Sequence, residues 1–489
     1  MKIKDDGMHI VFAASECAPW AKTGGLADVI SALPRALVEQ GHKVSVFIPY
    51  YRQVAKAVPK PPVLLPSITI PFPTYNRFAR ILDGGISAGV QMYFVDNPQL
   101  FDRENFYATP SGDYPDNAER FGLFCRAVIE ATKILGVPDV FHVHDWQAAM
   151  LAVLLRSTYY FDPVLRRVPA VLTIHNAGYQ GWFPPQTMEK LLLPWDMFTF
   201  DKLEQDNQVN FLKGGIVYAD ALTTVSQTYA KEIQTPEFGN GLEGALQQRS
   251  GDFFGILNGV DYTEWDPAID SNIAAHYTAA DLSGKRECRR DLLHAFGLKG
   301  VPTNTAVIGV VSRFATQKGF DLIVECIDRL VQEDMVMVLL GNGEEYYERL
   351  LVEMADRYPS KVRVQVKYDN VMAHKIEAGA DMFLMPSRYE PCGLNQIYSL
   401  KYGTVPVVRA TGGLDDTIDE QPNGGGNGFK FRGYSAGALM DALQRALAAF
   451  RDPAEWKQIQ QRGMAQDFSW DKPAQEYLRV YERVIQNRS

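Results

Sequence analysis

Cysteine is scarce in this sequence of 489 residues, and its arrangement excludes two common kinds of structural support. A disulfide framework needs paired cysteines, and a structural zinc site needs closely spaced ligands such as CxxC. The five cysteines are odd in number, scattered and never spaced in that way: Cys17, Cys125, Cys288, Cys326 and Cys392. We therefore expect no disulfides, no structural zinc and a protein of the reducing cytoplasm.

Long apolar runs and excess positive charge are also lacking. No segment approaches the ~20 apolar residues that span a bilayer. Residues 1–7 are polar and lead at once into strand-like residues, so we expect no signal or transit peptide. The net charge of −9 argues against a nucleic-acid binder, which needs a basic surface. The sequence thus predicts neither a membrane nor a nucleic-acid partner, and it leaves the oligomeric state open.

Two nucleotide-binding signatures are missing or misplaced. Residues 239–244 match GxGxxG literally, but they do not follow a strand. Gly24 and Gly25 do follow the first predicted strand, but without that spacing. No Walker A sequence occurs. A hydride-transfer enzyme or a P-loop NTPase is therefore disfavoured.

What the chain does contain is an alternation of buried strands and helices. This pattern predicts an α/β protein with two doubly wound parallel sheets, and the length suits two large domains. We expect domains at residues 1–262 and 263–468, and a last helix within 469–489 that returns to the first domain. Residues 56–89 predict a small hairpin insertion.

Polar side chains stand where strands of the first half end. Asp145 ends one strand and His175 ends the next, where open α/β sheets bind ligands. Hydrogen bonding to sugar hydroxyls is one interpretation, and helix capping by Asp145 is the other. His142 and His144 share a strand face with Asp145 opposed, and with His175 they could suggest a metal, but a fourth ligand at metal-like spacing is missing.

Two glycine-containing stretches more than 350 residues apart are predicted to meet in a cleft between the halves. Residues 22–29 (KTGGLADV) and residues 387–396 (SRYEPCGLNQ), the latter followed by TGGL at 411–414, each follow an apolar strand. Backbone N–H groups at such turns bind phosphate and sugar oxygens.

The first strand of the second half is followed by two cations. Arg313 and Lys318 can grip a pyrophosphate, although each could also belong to a solvated loop. Gly341, at the end of the next strand, allows close approach of a nucleotide or marks a plain tight turn. Cys392 lacks a nearby histidine in sequence, so a thiolate nucleophile is disfavoured.

Taken together and in order, these motifs closely resemble the glycogen and starch synthases over nearly the whole chain. The matching segments are KTGGLADV, HVHDWQA, TIHNAGYQGWF, NGVD, SRFATQKG and SRYEPCGLNQIYSLKYGTVPVVRATGGL. The resemblance implies the glycosyltransferase-B fold, with two Rossmann-like domains facing a deep cleft that closes during the reaction. It also implies a retaining glucosyl transfer from ADP-glucose to an α-1,4-glucan, without a metal or other cofactor. The missing N-terminal extension makes the bacterial glycogen synthases the nearer likeness.

The resemblance also implies site residues, which carry over onto matching positions of this sequence. The residues expected to act in catalysis are Lys22, Asp145, His175, Arg313, Lys318 and Glu390. The residues expected to bind substrate are Gly24, Gly25, Asp28, Tyr107, Asn176, Asn258, Gly341, Tyr389, Cys392, Gly393, Leu394, Thr411, Gly412, Gly413 and Leu414.

Three alternatives stay open at this point. One is a UDP-glucose-using or starch-synthase-like enzyme on the same fold, and another is a sucrose- or trehalose-type transferase. A phosphorylase is disfavoured, because it would need a pyridoxal-phosphate lysine and a much longer chain. The third is a non-catalytic glucan- or nucleotide-binding protein. The presence of Lys22, Arg313, Lys318 and Glu390 favours an enzyme.

Overall fold

The computed structural model describes residues 7–421 and 425–488 and divides into two compact units. Unit 1 runs to Gly259 and resumes at Trp470, and unit 2 spans Val260–Ser469. Residues 1–6, part of the segment in which we expect no signal or transit peptide, lie outside the described residues. A glycine-rich stretch occupies residues 423–428, and its residues 423 and 424 also lie outside them. Among the described helices, none is both long and apolar enough to cross a membrane.

Unit 1 is built on a nine-stranded sheet with the order β14-β13-β9-β8-β1-β2-β5-β4-β3. All neighbours from β14 to β5 pair in parallel, whereas β5, β4 and β3 pair antiparallel. Its strands are β1 (His9–Ala13), β2 (Lys43–Pro49), β3 (Val63–Pro71), β4 (Asn76–Ser87), β5 (Val90–Asp96), β8 (Val140–His144), β9 (Ala170–Ile174), β13 (Ala221–Thr224) and β14 (Phe253–Gly255). Smaller sheets contain β6 (Ala108–Thr109), β7 (Gly112–Asp113), β10 (Trp182–Phe183), β11 (Glu204–Gln205) and β12 (Gln208–Asn210).

The helices of unit 1 lie between these strands, with one added from the end of the chain. They are α1 (Gly25–Glu39), α2 (Arg52–Ala57), α3 (Pro98–Phe101), α4 (Asn117–Leu135), α5 (Asp145–Leu155), α6 (Thr187–Lys190), α7 (Phe211–Tyr218), α8 (Gln227–Glu232), α9 (Glu243–Gln248) and α18 (Asp471–Arg488). The hairpin expected within residues 56–89 is confirmed as β3 and β4, which extend the edge of the sheet. The central strands β8 and β9 are buried along their length, and their polar side chains are those of His142, His144 and Thr173.

Unit 2 is a second doubly wound domain with a six-stranded, all-parallel sheet in the order β17-β16-β15-β18-β19-β20. Its strands are β15 (Ala306–Val311), β16 (Met335–Gly341), β17 (Val362–Val366), β18 (Met382–Met385), β19 (Val405–Arg409) and β20 (Phe429–Phe431). Its helices are α10 (Ser283–Ala295), α11 (Phe320–Leu330), α12 (Glu345–Arg357), α13 (Asn370–Gly379), α14 (Asn395–Lys401), α15 (Gly412–Thr417), α16 (Ala436–Phe450) and α17 (Pro453–Met464). Alternate side chains of β15 enter separate apolar clusters, so both faces of the sheet are covered.

The strand order of each unit reverses direction at one position. In unit 1 the chain winds outward from β1 through β2 on one side and from β8 through β9 on the other. In unit 2 the same divergence occurs between β15 and β18. Loops that follow such a pair of strands part from each other and leave a crevice at the carboxyl edge of the sheet, where open α/β sheets bind ligands.

Candidate active site

The turn after β1 is organised by the buried carboxylate of Glu16, which is not among the predicted site residues. Glu16 accepts hydrogen bonds from the backbone N–H of Thr23 and from its hydroxyl, both at 2.6 Å. Tyr107 donates to the same carboxylate at 2.7 Å and also lies 2.8 Å from the Ser15 hydroxyl. Glu16 therefore fixes the conformation of the turn that carries Lys22 and the two following glycines.

Lys22 is paired with one of its predicted neighbours. Its Nζ lies 2.6 Å from Oδ1 of Asp28 in the first turn of α1, and both side chains remain partly exposed. Burial raises the pKa of Asp28, and the nearby Lys22 ammonium opposes that shift. Gly24 and Gly25 lie between the two with open space where a Cβ would stand. The turn can therefore accept a bulky group close to the backbone.

Asp145 and His175 are brought together at the carboxyl edge of the sheet of unit 1, where they follow the neighbouring strands β8 and β9. Asp145 follows β8 with a φ of +53°, and its Oδ1 accepts the backbone N–H of His175 at 2.7 Å. Burial raises the pKa of Asp145 to about 7, and the N–H groups of His175 and Asn176 oppose that shift. Burial lowers the pKa of His175 to about 3, so its ring is neutral near pH 7.

The other histidines of this region form a buried cluster with Tyr481 from α18. His142 hydrogen-bonds Tyr481 at 2.7 Å through Nδ1 and Thr173 at 2.6 Å through Nε2. His144 Nδ1 lies 3.0 Å from His175 Nε2. Within the part of the chain that the structure describes, no group of three or more His, Cys, Asp or Glu residues is arranged to hold a metal ion. These imidazoles are used in hydrogen bonds with protein groups.

Two predicted asparagines of unit 1 have different environments. Asn176 caps its own turn, since its side-chain oxygen accepts the N–H of Gly178 at 2.9 Å. Asn258 is buried, and among the described residues its Oδ1 has no hydrogen-bond partner. A buried hydrogen-bond acceptor without a donor destabilises the folded protein, so a ligand hydroxyl that donates to Asn258 Oδ1 would remove that cost.

The switch point of unit 2 holds a second charge pair between predicted site residues. Lys318, after β15, lies 2.6 Å from Oε2 of Glu390, after β18, and Ser387 donates to the same oxygen at 3.0 Å. The two loops are also joined by the N–H of Arg388, which donates to Gln317 O at 2.8 Å. The Gln317 side chain in turn donates to the carbonyl of Tyr389 at 3.1 Å.

Glycines allow the neighbouring loops to pack backbone against backbone. A Cβ at Gly341 would clash with the carbonyl oxygen of Ser312. Gly412 has a φ of +46°, and a Cβ there would clash with the carbonyl oxygen of Glu390, while one at Gly413 would clash with that of Cys392. The predicted glycine turns are therefore the means by which the four strand-end loops of this sheet approach one another.

The backbone amides after β19 are already engaged within the protein. The N–H of Gly413 donates to the carbonyls of Glu390 and Pro391 at 3.2 Å, and that of Leu414 donates to Thr411 at 3.1 Å. The phosphate binding expected of backbone N–H groups in this turn would therefore require a local rearrangement at Gly413 and Leu414. Gln396 stabilises the preceding turn by donating to the carbonyls of Cys392 and Gly393. Arg313 is exposed on the loop after β15.

Comparison with known proteins decides the family. Residues 9–248 match the starch synthase catalytic domain family, and residues 297–462 match the glycosyl transferases group 1 family. A glycogen synthase from Koribacter versatilis (strain Ellin345) is 57% identical over 484 residues, which cover 99% of each chain. The chain belongs to the glycogen and starch synthase family. The predicted family is thus confirmed, and with it the assignment as a hexosyltransferase.

Other relatives agree with this membership. A glycogen synthase from Myxococcus xanthus (strain DK1622) is 45% identical and covers 98% of this chain and 100% of its own. A solved structure, the catalytic domain of starch synthase IV from Arabidopsis thaliana bound to ADP and acarbose, has a TM-score of 0.88 at 33% identity, covering 98% and 100% of the two chains. Sucrose-phosphate synthase from Thermosynechococcus elongatus, at 17% identity and a TM-score of 0.59 (98% and 100% covered), shares the fold. The expected glycosyltransferase-B fold of this family is confirmed.

Proposed function

We propose that the chain transfers glucose from ADP-glucose to the non-reducing 4-hydroxyl end of an α-1,4-glucan, with retention at the anomeric carbon and release of ADP. The observation that carries the proposal is the Lys318–Glu390 pair at the switch point of unit 2, which places a cation beside a carboxylate. A nucleotide sugar needs both, because its diphosphate is anionic and its glucose carries hydroxyl donors. The related Arabidopsis starch synthase was solved with ADP and acarbose, which supports the same ligand classes here.

In this proposal, unit 2 supplies the groups that bind ADP-glucose. Arg313 and Lys318 contact the diphosphate, and Glu390 accepts hydroxyls of the transferred glucose. Lys318 is already within 2.6 Å of Glu390, so one ammonium can contact the sugar-binding carboxylate and the leaving phosphate together. Gly341 and Tyr389 line the nucleotide side, as do Cys392, Gly393 and Leu394. Thr411 and Gly412 lie in the turn that follows β19.

Unit 1 supplies the acceptor side and part of the glucose contacts. We assign Lys22, Gly24, Gly25 and Asp28 to the acceptor and the departing phosphate. His175, with Asp145, Asn176 and Asn258, holds glucose. Tyr107 takes a supporting role, because its hydroxyl is bonded to Ser15 and Glu16 beneath the turn.

The chemistry follows from the charges that develop. Breaking the bond between C1 and the phosphate oxygen places positive charge on the sugar and negative charge on the departing phosphate. Cationic Arg313, Lys318 and Lys22 stabilise the leaving group, so we propose that no metal ion or other cofactor is required. The departing phosphate takes the proton of the acceptor hydroxyl as that hydroxyl attacks from the same face, which retains the configuration.

The compartment belongs to the same proposal. All five cysteines are buried and none is in a disulfide. Free thiols of this number suit a reducing environment, and we place the enzyme in the cytoplasm.

The test is the initial rate of ADP release from ADP-glucose with glycogen as primer, run beside UDP-glucose and with EDTA present. Primer-dependent ADP release that is unaffected by EDTA supports the proposal. A higher kcat/KM with UDP-glucose overturns the assignment of ADP-glucose as the donor but leaves the proposed transferase chemistry in place. If EDTA inhibits the reaction and added Mg²⁺ restores the activity, the metal-free mechanism is overturned. Turnover of neither donor overturns the proposed reaction.

A further inference from the structure

We propose that His144 is a positioning residue that donates its Nδ1–H to Nε2 of His175 and thereby leaves the proton of His175 on Nδ1. His175 then meets the substrate as a hydrogen-bond donor. This inference rests on the proposed role of His175 in holding glucose. It adds which protonated form of the ring does so and which residue selects that form.

The first observation is the contact between the two rings. His144 Nδ1 and His175 Nε2 are 3.0 Å apart, so one of the two nitrogens carries the shared proton. Burial lowers the pKa of His144 well below its ordinary value and that of His175 to about 3. Both rings are neutral at pH 7, and each therefore has one protonated and one unprotonated nitrogen.

The second observation decides the direction of that hydrogen bond. His144 Nε2 is buried, and within the described chain it has no hydrogen-bond partner. The ring of Phe12 is stacked on the His144 imidazole, with centroids 5.4 Å apart. A proton on Nε2 would be a buried N–H with no acceptor, which is rarer in proteins than an acceptor left without a donor. The proton of His144 therefore lies on Nδ1 and points to His175.

The neighbouring histidine does not supply the missing acceptor. Tyr481 is buried, and its hydroxyl has His142 Nδ1 as its acceptor at 2.7 Å. His142 Nε2–H then donates to Thr173 at 2.6 Å, Thr173 lies 2.6 Å from Thr223, and Thr223 donates to the carbonyl of Leu172. Both nitrogens of His142 are thus occupied by a separate chain of hydrogen bonds that ends on a carbonyl.

His175 is consequently held at two places by the segment that ends β8. Asp145 accepts its backbone N–H at 2.7 Å, and His144 donates to its ring. With Nε2 occupied, Nδ1–H is the ring group left for a sugar hydroxyl oxygen. Such pairing of a site histidine with a second group is the usual way in which proteins select a tautomer.

The deciding experiment is ¹⁵N NMR of the full-length protein labelled at histidine, because the two neutral forms have distinct nitrogen shifts. The sequence contains eight histidines, and His175→Asn and His144→Asn assign the two signals by their loss. We expect His175 protonated on Nδ1 and unprotonated on Nε2. The opposite assignment overturns the proposal, and so does a wild-type spectrum in which no neutral histidine is protonated on Nδ1, an outcome that needs no variant.

A pair of variants separates hydrogen bonding from packing. His144→Phe keeps a ring against Phe12 but removes the donor, whereas His144→Asn loses the ring but keeps an N–H close to the position of Nδ1. We expect His144→Phe to lower kcat with ADP-glucose about threefold to tenfold, and His144→Asn to stay within about twofold of wild type. The reverse order would show a packing role and overturn the proposal. His294→Asn, at an exposed histidine of α10, is the matched control. If ADP-glucose is not the glucosyl donor, activity with ADP-glucose is absent in the wild type and in every variant, while the NMR result is unaffected.

Discussion

Lys318 Nζ lies 2.6 Å from Glu390 Oε2, although the two residues are 72 positions apart in the chain. The contact joins the loops after β15 and β18, the two strands at which the winding of unit 2 changes direction. It brings the charge that suits a leaving phosphate next to the carboxylate that suits a sugar. Removing either partner should therefore affect both the stabilisation of the leaving phosphate and the binding of glucose.

Lys318→Ala is expected to lower kcat/KM with ADP-glucose by at least about 100-fold, because it removes a cation from the departing diphosphate. It also leaves the mostly buried Glu390 carboxylate with Ser387 as its remaining side-chain donor among the contacts that the structure describes. Steady-state kinetics of ADP release measures the effect. Lys457→Ala, at an exposed lysine of α17, is the control. Kinetics like those of the wild type in Lys318→Ala would remove this residue from the mechanism.

Gly413→Ala is expected to weaken ADP binding about tenfold or more. Its Cβ would clash with the carbonyl of Cys392 and push the turn that carries Glu390 away from α15. Gly437→Ala, in α16 of the same unit, meets no atom within 4 Å and should be neutral or stabilising by about 0.5–1 kcal/mol. Isothermal titration with ADP compares the two variants. Equal affinities would contradict the close-packing role of Gly413.

Asp145→Asn is expected to raise stability at neutral pH while lowering activity. The folded-state pKa of Asp145 is about 7, above its ordinary value of 3.8. Between these values the folded chain binds more protons than the unfolded chain, so its free energy of unfolding falls as pH rises through the window. Asparagine does not ionise, so the variant avoids this fall in the free energy of unfolding. Asparagine also tolerates the φ of +53° at this position.

Urea denaturation from pH 4 to pH 8 tests this expectation. The variant should exceed wild type by about 1–3 kcal/mol at pH 8, and the difference should shrink towards pH 4. Asp113→Asn, at an exposed position of β7, should show no such trend. A difference that grows as pH falls would show that burial does not dominate the pKa of Asp145.

Tyr481→Phe is expected to lower stability by about 1–2 kcal/mol, since it leaves His142 Nδ1 without a donor in a buried site. Tyr160→Phe, at an exposed tyrosine of the same unit, should change it little. Thermal unfolding of both variants measures the difference. Equal melting temperatures would indicate that α18 is held by packing alone.

Local pattern was sufficient for much of the fold. The continuous apolar runs at 306–311 and 382–385 are strands in the structure, because strands buried on both faces carry no polar alternation. Very short strands were missed: β10, β11, β12 and β20 have two or three residues, too few to show a period. Family motifs then indicated the chemistry, since they mark strand ends where ligands bind.

The sequence by itself determined the two doubly wound halves, the family and the residues at the strand ends, because each depends on local periodicity or on short motifs. Only the tertiary structure decided which of those residues meet. The use of Glu16 beneath the Lys22 turn, the contact of His144 with His175 and the donation of the Gly413 amide to Glu390 all depend on strand order and loop packing. Tyr481 and His142, 339 positions apart, illustrate the reason. Hydrogen bonding is directional and short in range, whereas the sequence specifies neighbours in space only after the whole chain has folded.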